Sequence, residues 1–351
     1  MLQSLRRLAD SAERLGSPFS AGLLSRLAED AAAGGPTVAL LAPWAGAPED
    51  VVRDDLPGLR LTAALHDLAL SGEDPELAAT YPRPDRASDA EAAWGPVRAA
   101  LAREAGRIAE FMTHEPQTNE VGRAAMLLGG FLETAARTGL PLRCFEIAAS
   151  AGLNLSWDRY RYRLGDLRWG DPQSPVVLEP DWSGPSPPDA PARVIERAAC
   201  DRRPIDLSNP AEARRLMAYV WPDQFERLAR LKAAIDVTRA AGVAVEEADA
   251  ADWVRARCAP KVGAATVVYH SVFWHYVPAE GQAALRGAIV AHAQSATEAS
   301  PFAWLRMESQ STGSPMEIRL TLWPGGEEHL LGQVHAHGAD ARWGEAALTP
   351  R

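Results

Sequence analysis

Three carboxylates, Glu146, Asp201 and Asp249, stand where predicted strands end in a chain of 351 residues. A carboxylate offers two oxygens to a diol, an amine or a cation. Ligands of open α/β sheets gather at the carboxyl ends of the strands, so acids at successive strand ends point to one binding crevice. The first acid opens Glu146-Ile147-Ala148-Ala149-Ser150-Ala151-Gly152-Leu153-Asn154, which reads as a strand end, a bend of small residues and a helix start. Small residues at a helix N-terminus make a polar, positive and uncrowded site. The candidate cofactor-binding residues are therefore Glu146, Ala148, Ser150, Gly152, Asn154, Asp201 and Asp249, with the small Ala250 where a flat ring fits.

Two histidines, His270 and His275, follow the fourth core strand. An imidazole takes up a proton near neutral pH, so both are candidate catalytic bases. Tyr269, Phe273, Trp274 and Tyr276 would wall that strand end, and they suit an aromatic or amphiphilic small-molecule substrate. Asn119, Glu120 and Arg123 fall on one predicted helix just before the core. They are expected, with Tyr160 and Trp274, to cover the cofactor or substrate; Glu120 and Arg123, three apart, also suit a plain surface pair. His335 and His337 lack a nearby third ligand, so no metal site is expected. His66 reads as a core or surface histidine.

The elements that must position these groups fall into two parts. Residues 1–140 read as helical, a lid over the rest. Leu5, Leu8 and Leu15 share one helical face, Leu23, Leu24 and Leu27 another, and Leu61, Leu65 and Leu68 a third. Ser88-Asp89-Ala90-Glu91 is a capping box for a helix to about Phe111. Thr118 is the expected N-cap of the next helix, which ends at Gly139. From Leu142 to residue 351 strands and helices alternate, with a Pro-, Ser- and Asp-rich excursion at 156–193. Phe302–Met307, Glu317–Leu322 and Leu330–His335 close the chain without helices between them. The fold class expected is α/β: a Rossmann-like sheet, mostly parallel with an antiparallel edge, plus an N-terminal all-helical region.

Composition narrows the partners. A net charge of −10 argues against nucleic acid. Three cysteines with no C-x-x-C pair argue against a disulfide framework or zinc ribbon. No apolar run reaches membrane-spanning length, and the charged N-terminus lacks a signal-peptide stretch, so a cytoplasmic protein is expected. Oligomeric state is not legible.

Glu146-x-Ala148-x-Ser150-x-Gly152 resembles the E-x-G-x-G-x-G loop of class I S-adenosylmethionine-dependent methyltransferases. The resemblance implies S-adenosylmethionine as cofactor, Asp201 on its ribose and Asp249-Ala250 beside its adenine. The whole chain resembles an uncharacterised bacterial family, a domain of unknown function with a methyltransferase-like core. Gln117–Arg123, Trp157–Tyr162, Cys200–Asp206, Trp221–Arg227 and His270–Tyr276 carry that likeness with the loop itself. Ala148 and Ser150 depart from the glycine pattern, and a Cβ at each narrows the loop and opposes positive φ.

Two other readings fit the same residues. One is a binding module that keeps the fold without the chemistry. The other is a serine hydrolase, since Ala148-Ala149-Ser150-Ala151-Gly152 fits a nucleophile elbow and Ser150, Asp249 and His270 follow the triad order. That scheme lacks an upstream oxyanion loop and leaves Glu146 and Asn154 unused.

Overall fold

The structure, a computed structural model, describes residues 1–311 and 314–344. The end of the expected core, 345–351, lies outside them. The chain divides into two compact units: Met1–Thr118 with Asn209–Lys232, and Asn119–Ser208 with Ala233–Arg351.

The first unit is helical. It holds α1 (Leu2–Arg14), α2 (Pro18–Ala32), α3 (Thr37–Leu41), α4 (Glu49–Asp55), α5 (Pro57–Ser71), α6 (Pro75–Thr80), α7 (Ala90–Arg103) and α8 (Ala105–Met112). Its core contains the leucines whose spacing marked the helical faces, among them Leu5, Leu24, Leu27, Leu61 and Leu65. The expected helix from residue 88 to 111 is two helices. Asp89 caps the first, accepting from Ala92 N–H at 2.7 Å, and the chain breaks at Glu104 before α8. His66 is a core residue, its Nδ1–H donating to Ala218 O at 3.2 Å.

The second unit opens at Asn119, just ahead of α9 (Arg123–Thr138). Thr118 is not its N-cap, because Asn119–Gly122 stay irregular and the helix starts at Arg123. The strands are β1 (Leu142–Ile147), β2 (Arg161–Leu164), β3 (Leu167–Gly170), β4 (Val177–Leu178), β5 (Asp181–Ser183), β6 (Val194–Asp201), β7 (Val245–Glu247), β8 (Ala265–Ser271), β9 (Phe302–Ser309), β10 (Met316–Trp323), β11 (Glu327–Val334) and β12 (Asp340–Trp343). Between them run α10 (Pro210–Ala218), counted with the first unit, α11 (Phe225–Ala240), α12 (Ala250–Arg257) and α13 (Ala279–Ala293).

Nine strands form one sheet in the order β5-β12-β11-β10-β9-β8-β1-β6-β7. The five strands β7, β6, β1, β8 and β9 are parallel. The chain winds outward from β1 through β6 to β7, then returns to the other side of β1 for β8 and β9. The reversal of direction between β1 and β8 is a topological switch point, the place where ligands of open α/β sheets bind. β10, β11 and β12 continue as an antiparallel meander. The excursion is structured: β2, β3 and β4 make a separate small sheet, and β5 adds to the main sheet beside β12.

Side chains alternate between the two faces of a strand. Phe145 and Ile147 of β1 join Val268, Phe302 and Trp304 in a core with α12 and α13. On the opposite face Tyr269 meets Phe131 of α9 edge-on, with ring centroids 5.0 Å apart. Gly129 and Gly130 let α9 lie close to the sheet, since a Cβ there would strike Trp343 and Leu305. That close seating fixes α9, and with it Asn119–Arg123, against the strand ends.

Candidate functional site

The bend after β1 has an unusual backbone. Ala148 (φ 54), Ser150 (φ 53) and Gly152 (φ 72) are all left-handed. Residues other than Gly, Asn and Asp seldom enter this region, at a cost of roughly 1–2 kcal/mol each. The Cβ atoms of Ala148 and Ser150 were expected to oppose positive φ, yet both residues adopt it. The alternate positions of the loop therefore hold the conformation that glycine favours, with or without glycine.

Internal bonds hold the loop there. Ala149 N–H donates to Cys200 O at 3.1 Å and Gly152 N–H to Ala149 O at 2.8 Å. Ser150 N–H donates to Asp201 Oδ2 at 2.8 Å, and Leu153 N–H to Asn119 Oδ1 at 2.9 Å. Asn119 is thus a brace of the loop and part of the same unit. The expected α-helix after the bend is a 3-10 segment, Leu153–Arg159, kinked at Ser156. Tyr160 is fully buried beneath it and donates its hydroxyl to Leu153 O at 2.6 Å.

Under the loop lie two buried polar side chains with few partners. Glu146, 2% exposed, sits beside Tyr269 in the β1–β8 register. It accepts one long bond from the Tyr269 hydroxyl, 3.3 Å from Oε2. Burial pushes its carboxyl up to about 8, against the opposing pull of Tyr269 and of the Arg123 guanidinium. The side chain of Asn154, 1% exposed, has no hydrogen-bond partner at either Oδ1 or Nδ2. Buried polar groups are nearly always partnered, so such a group calls for an explanation. The same Tyr269 hydroxyl lies 3.3 Å from Asn154 O, which ties the two residues together.

The three acids end on one edge, on the neighbouring strands β1 and β6 and just beyond β7. Their local roles differ. Asp201 Oδ2 takes Ser150 N–H, and Oδ1 takes Arg203 N–H at 2.9 Å. Asp249 is exposed and caps α12, accepting from Ala251 N–H at 2.9 Å and Asp252 N–H at 3.2 Å. Ala250, partly exposed, begins that helix.

Arg123 closes the crevice from the α9 side. Its guanidinium donates to Ser271 O at 3.3 Å and to Ala336 O at 3.1 Å. Glu120 is buried, and one oxygen accepts Gly122 N–H at 3.1 Å while the other lies 3.6 Å from His337 Nδ1. Glu120 is thus a buried carboxyl and not the surface charge that its spacing from Arg123 allowed.

The two histidines part company. His270 is fully buried on the α12–α13 face, opposite Glu146, because the two strands present alternate residues to each side. Its Nδ1 is 2.7 Å from Glu308 Oε1, and Trp304 Nε1–H donates to its Nε2 at 3.2 Å. Both ring nitrogens are engaged, and Trp274 stacks on the ring at 5.5 Å. His275 is exposed in the turn beyond β8, its ring centroid 3.8 Å from that of Tyr276. Glu308 escaped sequence reasoning. Its one signal is an acid near the end of a largely apolar strand.

Among the described residues no group of three or more side chains is placed to hold a metal ion, and no helix is long and apolar enough to cross a membrane. Fold and site define an α/β protein with polar side chains gathered at the switch point of a mixed, mostly parallel sheet. The chain matches, over residues 3–343, the model of a family described as an uncharacterised protein conserved in bacteria (DUF2332), and it belongs to that family. No curated protein matches it.

Proposed function

We propose that the second unit binds S-adenosylmethionine in the β1–β8 crevice and directs its methyl group to a small-molecule acceptor. The observation that carries this reading is the left-handed run Ala148, Ser150, Gly152 above the under-partnered Glu146 and Asn154. A loop of that conformation lets a flat nucleoside approach the backbone closely.

The donors of the loop narrow the ligand class. Four of its amides, those of Ala149, Ser150, Gly152 and Leu153, are engaged within the protein. A pyrophosphate needs such amides free. A cofactor without phosphate suits these groups better than a dinucleotide. Asp201 and Asp249 each keep further lone pairs for hydroxyl or amine donors after their backbone bonds, which accords with ribose and adenine. The side chain of Asn154 supplies a donor and an acceptor for the amino-acid end.

When bound, S-adenosylmethionine supplies an electrophilic methyl carbon on a sulfonium. The chain's own part is to bind, orient and manage the acceptor's proton. His275, exposed beyond β8, is the histidine whose ring is open to an acceptor; His270 is committed to Glu308 and Trp304. The same commitment leaves Ser150 without His270 as a base, which weighs against the hydrolase reading.

Calorimetry with S-adenosylmethionine and S-adenosylhomocysteine tests the proposal. One-to-one binding of both, lost on Asn154→Leu, is expected. Folded protein that takes up neither compound overturns it. Binding without methyl transfer to any of a broad panel of small acceptors leaves the binding-module reading in its place.

A further inference from the structure

The second side of the crevice is also built on strain. Val272, directly after β8, has φ 52. A β-branched residue in the left-handed region is a genuine outlier. Among the described residues only four non-glycine residues have positive φ, namely Leu56, Ala148, Ser150 and Val272. Three of these stand just beyond β1 and β8, the two strands that flank the switch point. Strain of this kind survives where the surroundings over-determine it, and it gathers at functional sites.

The turn after β8 is over-determined. Ser271 O is held by Arg123 at 3.3 Å. Val272 N–H donates to Met307 O at 2.9 Å. Phe273 N–H donates to both oxygens of Glu308, at 3.0 and 3.2 Å. Gln282 Nε2 donates to Trp274 O at 2.9 Å and to Val277 O at 3.0 Å. Glu308 is 8% exposed and also takes His270 Nδ1–H at 2.7 Å. Indole N–H only donates, so Trp304 fixes His270 Nε2 as an acceptor and leaves the hydrogen on Nδ1. The carboxylate therefore receives two directed donors, one from the strand and one from the turn. What the turn presents is the ring pair His275 and Tyr276, the latter 73% exposed.

We propose that Glu308 is a positioning residue: by joining His270 to the backbone of Phe273 it locks the strained Val272–Tyr276 turn as the acceptor-side wall of the crevice. The acceptor role rests on the function proposed above; the locking does not.

Amide exchange and binding, measured on the full chain, separate the two. In Glu308→Ala, Phe273 N–H should exchange at least about 100-fold faster, while Val268 and Leu305 in the strands keep their protection. Glu308→Gln, which retains an acceptor oxygen, should recover most of the protection. Tyr276 ring resonances should shift when S-adenosylhomocysteine binds the wild type. In Glu308→Ala that shift should vanish, with affinity for the compound within about two-fold of wild type. Unchanged exchange at Phe273, or equal loss across Val268 and Leu305, overturns the proposal. If Glu308→Ala does not fold, Glu308→Gln decides it: its neutral acceptor should speed Phe273 N–H exchange by a few-fold, well short of about 100-fold, with Val268 and Leu305 unmoved, and no change at Phe273 or an equal change at all three overturns the proposal. If the wild type does not bind S-adenosylhomocysteine, the cofactor reading fails and the exchange arms still judge Glu308.

Discussion

Asp201 grips the backbone of Ser150: Oδ2 accepts its N–H at 2.8 Å, while Oδ1 accepts Arg203 N–H at 2.9 Å. The acid at the end of β6 thus shapes the loop that follows β1. Hydrogen bonds to charged groups contribute about 1.5–3 kcal/mol. Asp201→Ala should cost roughly 2 kcal/mol in denaturant unfolding, and Asp201→Asn, with one acceptor left, about half of that. Unaltered stability in Asp201→Ala would show that the loop stands without this anchor.

Backbone strain in the loop gives the second prediction. Ala→Gly normally destabilises, but at a left-handed site removal of Cβ relieves roughly 1–2 kcal/mol, offset by about 0.4–1 kcal/mol of added freedom in the unfolded chain. Ala148→Gly should therefore leave the melting temperature level or raise it. Gly152→Val should lower it, because a Cβ at φ +72 would also meet Val243 at 3.0 Å and Val245 at 3.1 Å. A clear fall in Ala148→Gly would contradict the strain argument.

Glu146 makes stability depend on pH. An unfolded glutamate titrates near 4.5, and in the fold burial raises it to about 8. Between those values the native state holds a proton that the unfolded chain has released. The contribution is complete below about 4.5 and is lost as pH rises through about 8. Its size is on the order of 4 kcal/mol. Glu146→Gln should flatten that descent and be more stable than wild type at pH 9. Equilibrium unfolding between pH 5 and 9 measures both curves.

Asp249 carries two roles that different substitutions separate. As an N-cap of α12 its loss costs about 1 kcal/mol. Asp249→Ser keeps a cap and removes the charge. Weaker binding of S-adenosylmethionine in Asp249→Ser, with stability retained, assigns the carboxylate to the ligand. Equal binding by Asp249→Ser and wild type leaves it a cap only.

The three cysteines should be inert in the native state. Cys144, Cys200 and Cys258 are free and buried. Burial raises all three thiols, that of Cys200 to about 12. An alkylating reagent near neutral pH should modify none of them until the chain unfolds, when all three should react. Mass spectrometry counts the adducts.

Much of this architecture was legible in the residues. Leucine spacing marked the helices, and apolar runs marked β1 and β8, because burial imposes those periods directly. The acids at strand ends were legible for the same reason: a strand's end is visible where its apolar run stops. Tertiary bonds were not legible. Asn119 looked like a helix residue, yet its amide serves Leu153, 34 positions away. His270 looked like a base at a strand end, yet strand alternation turns it away from Glu146 and into Glu308 and Trp304. Ala148 and Ser150 looked like obstacles to a glycine loop, since a Cβ biases φ without forbidding the left-handed state when neighbours compel it. In the excursion, the alternation of Tyr160–Leu164 and the apolar Val176–Leu178 mark β2 and β4, whereas β3 and β5, four and three residues long, show no period.

The nine-stranded sheet finishes at each margin in a strand of three residues, β5 on one flank and β7 on the other. An open margin is a template on which a foreign strand can add. Three residues provide too few ladder bonds for such growth, so the broad sheet carries its own safeguard against fibrous association.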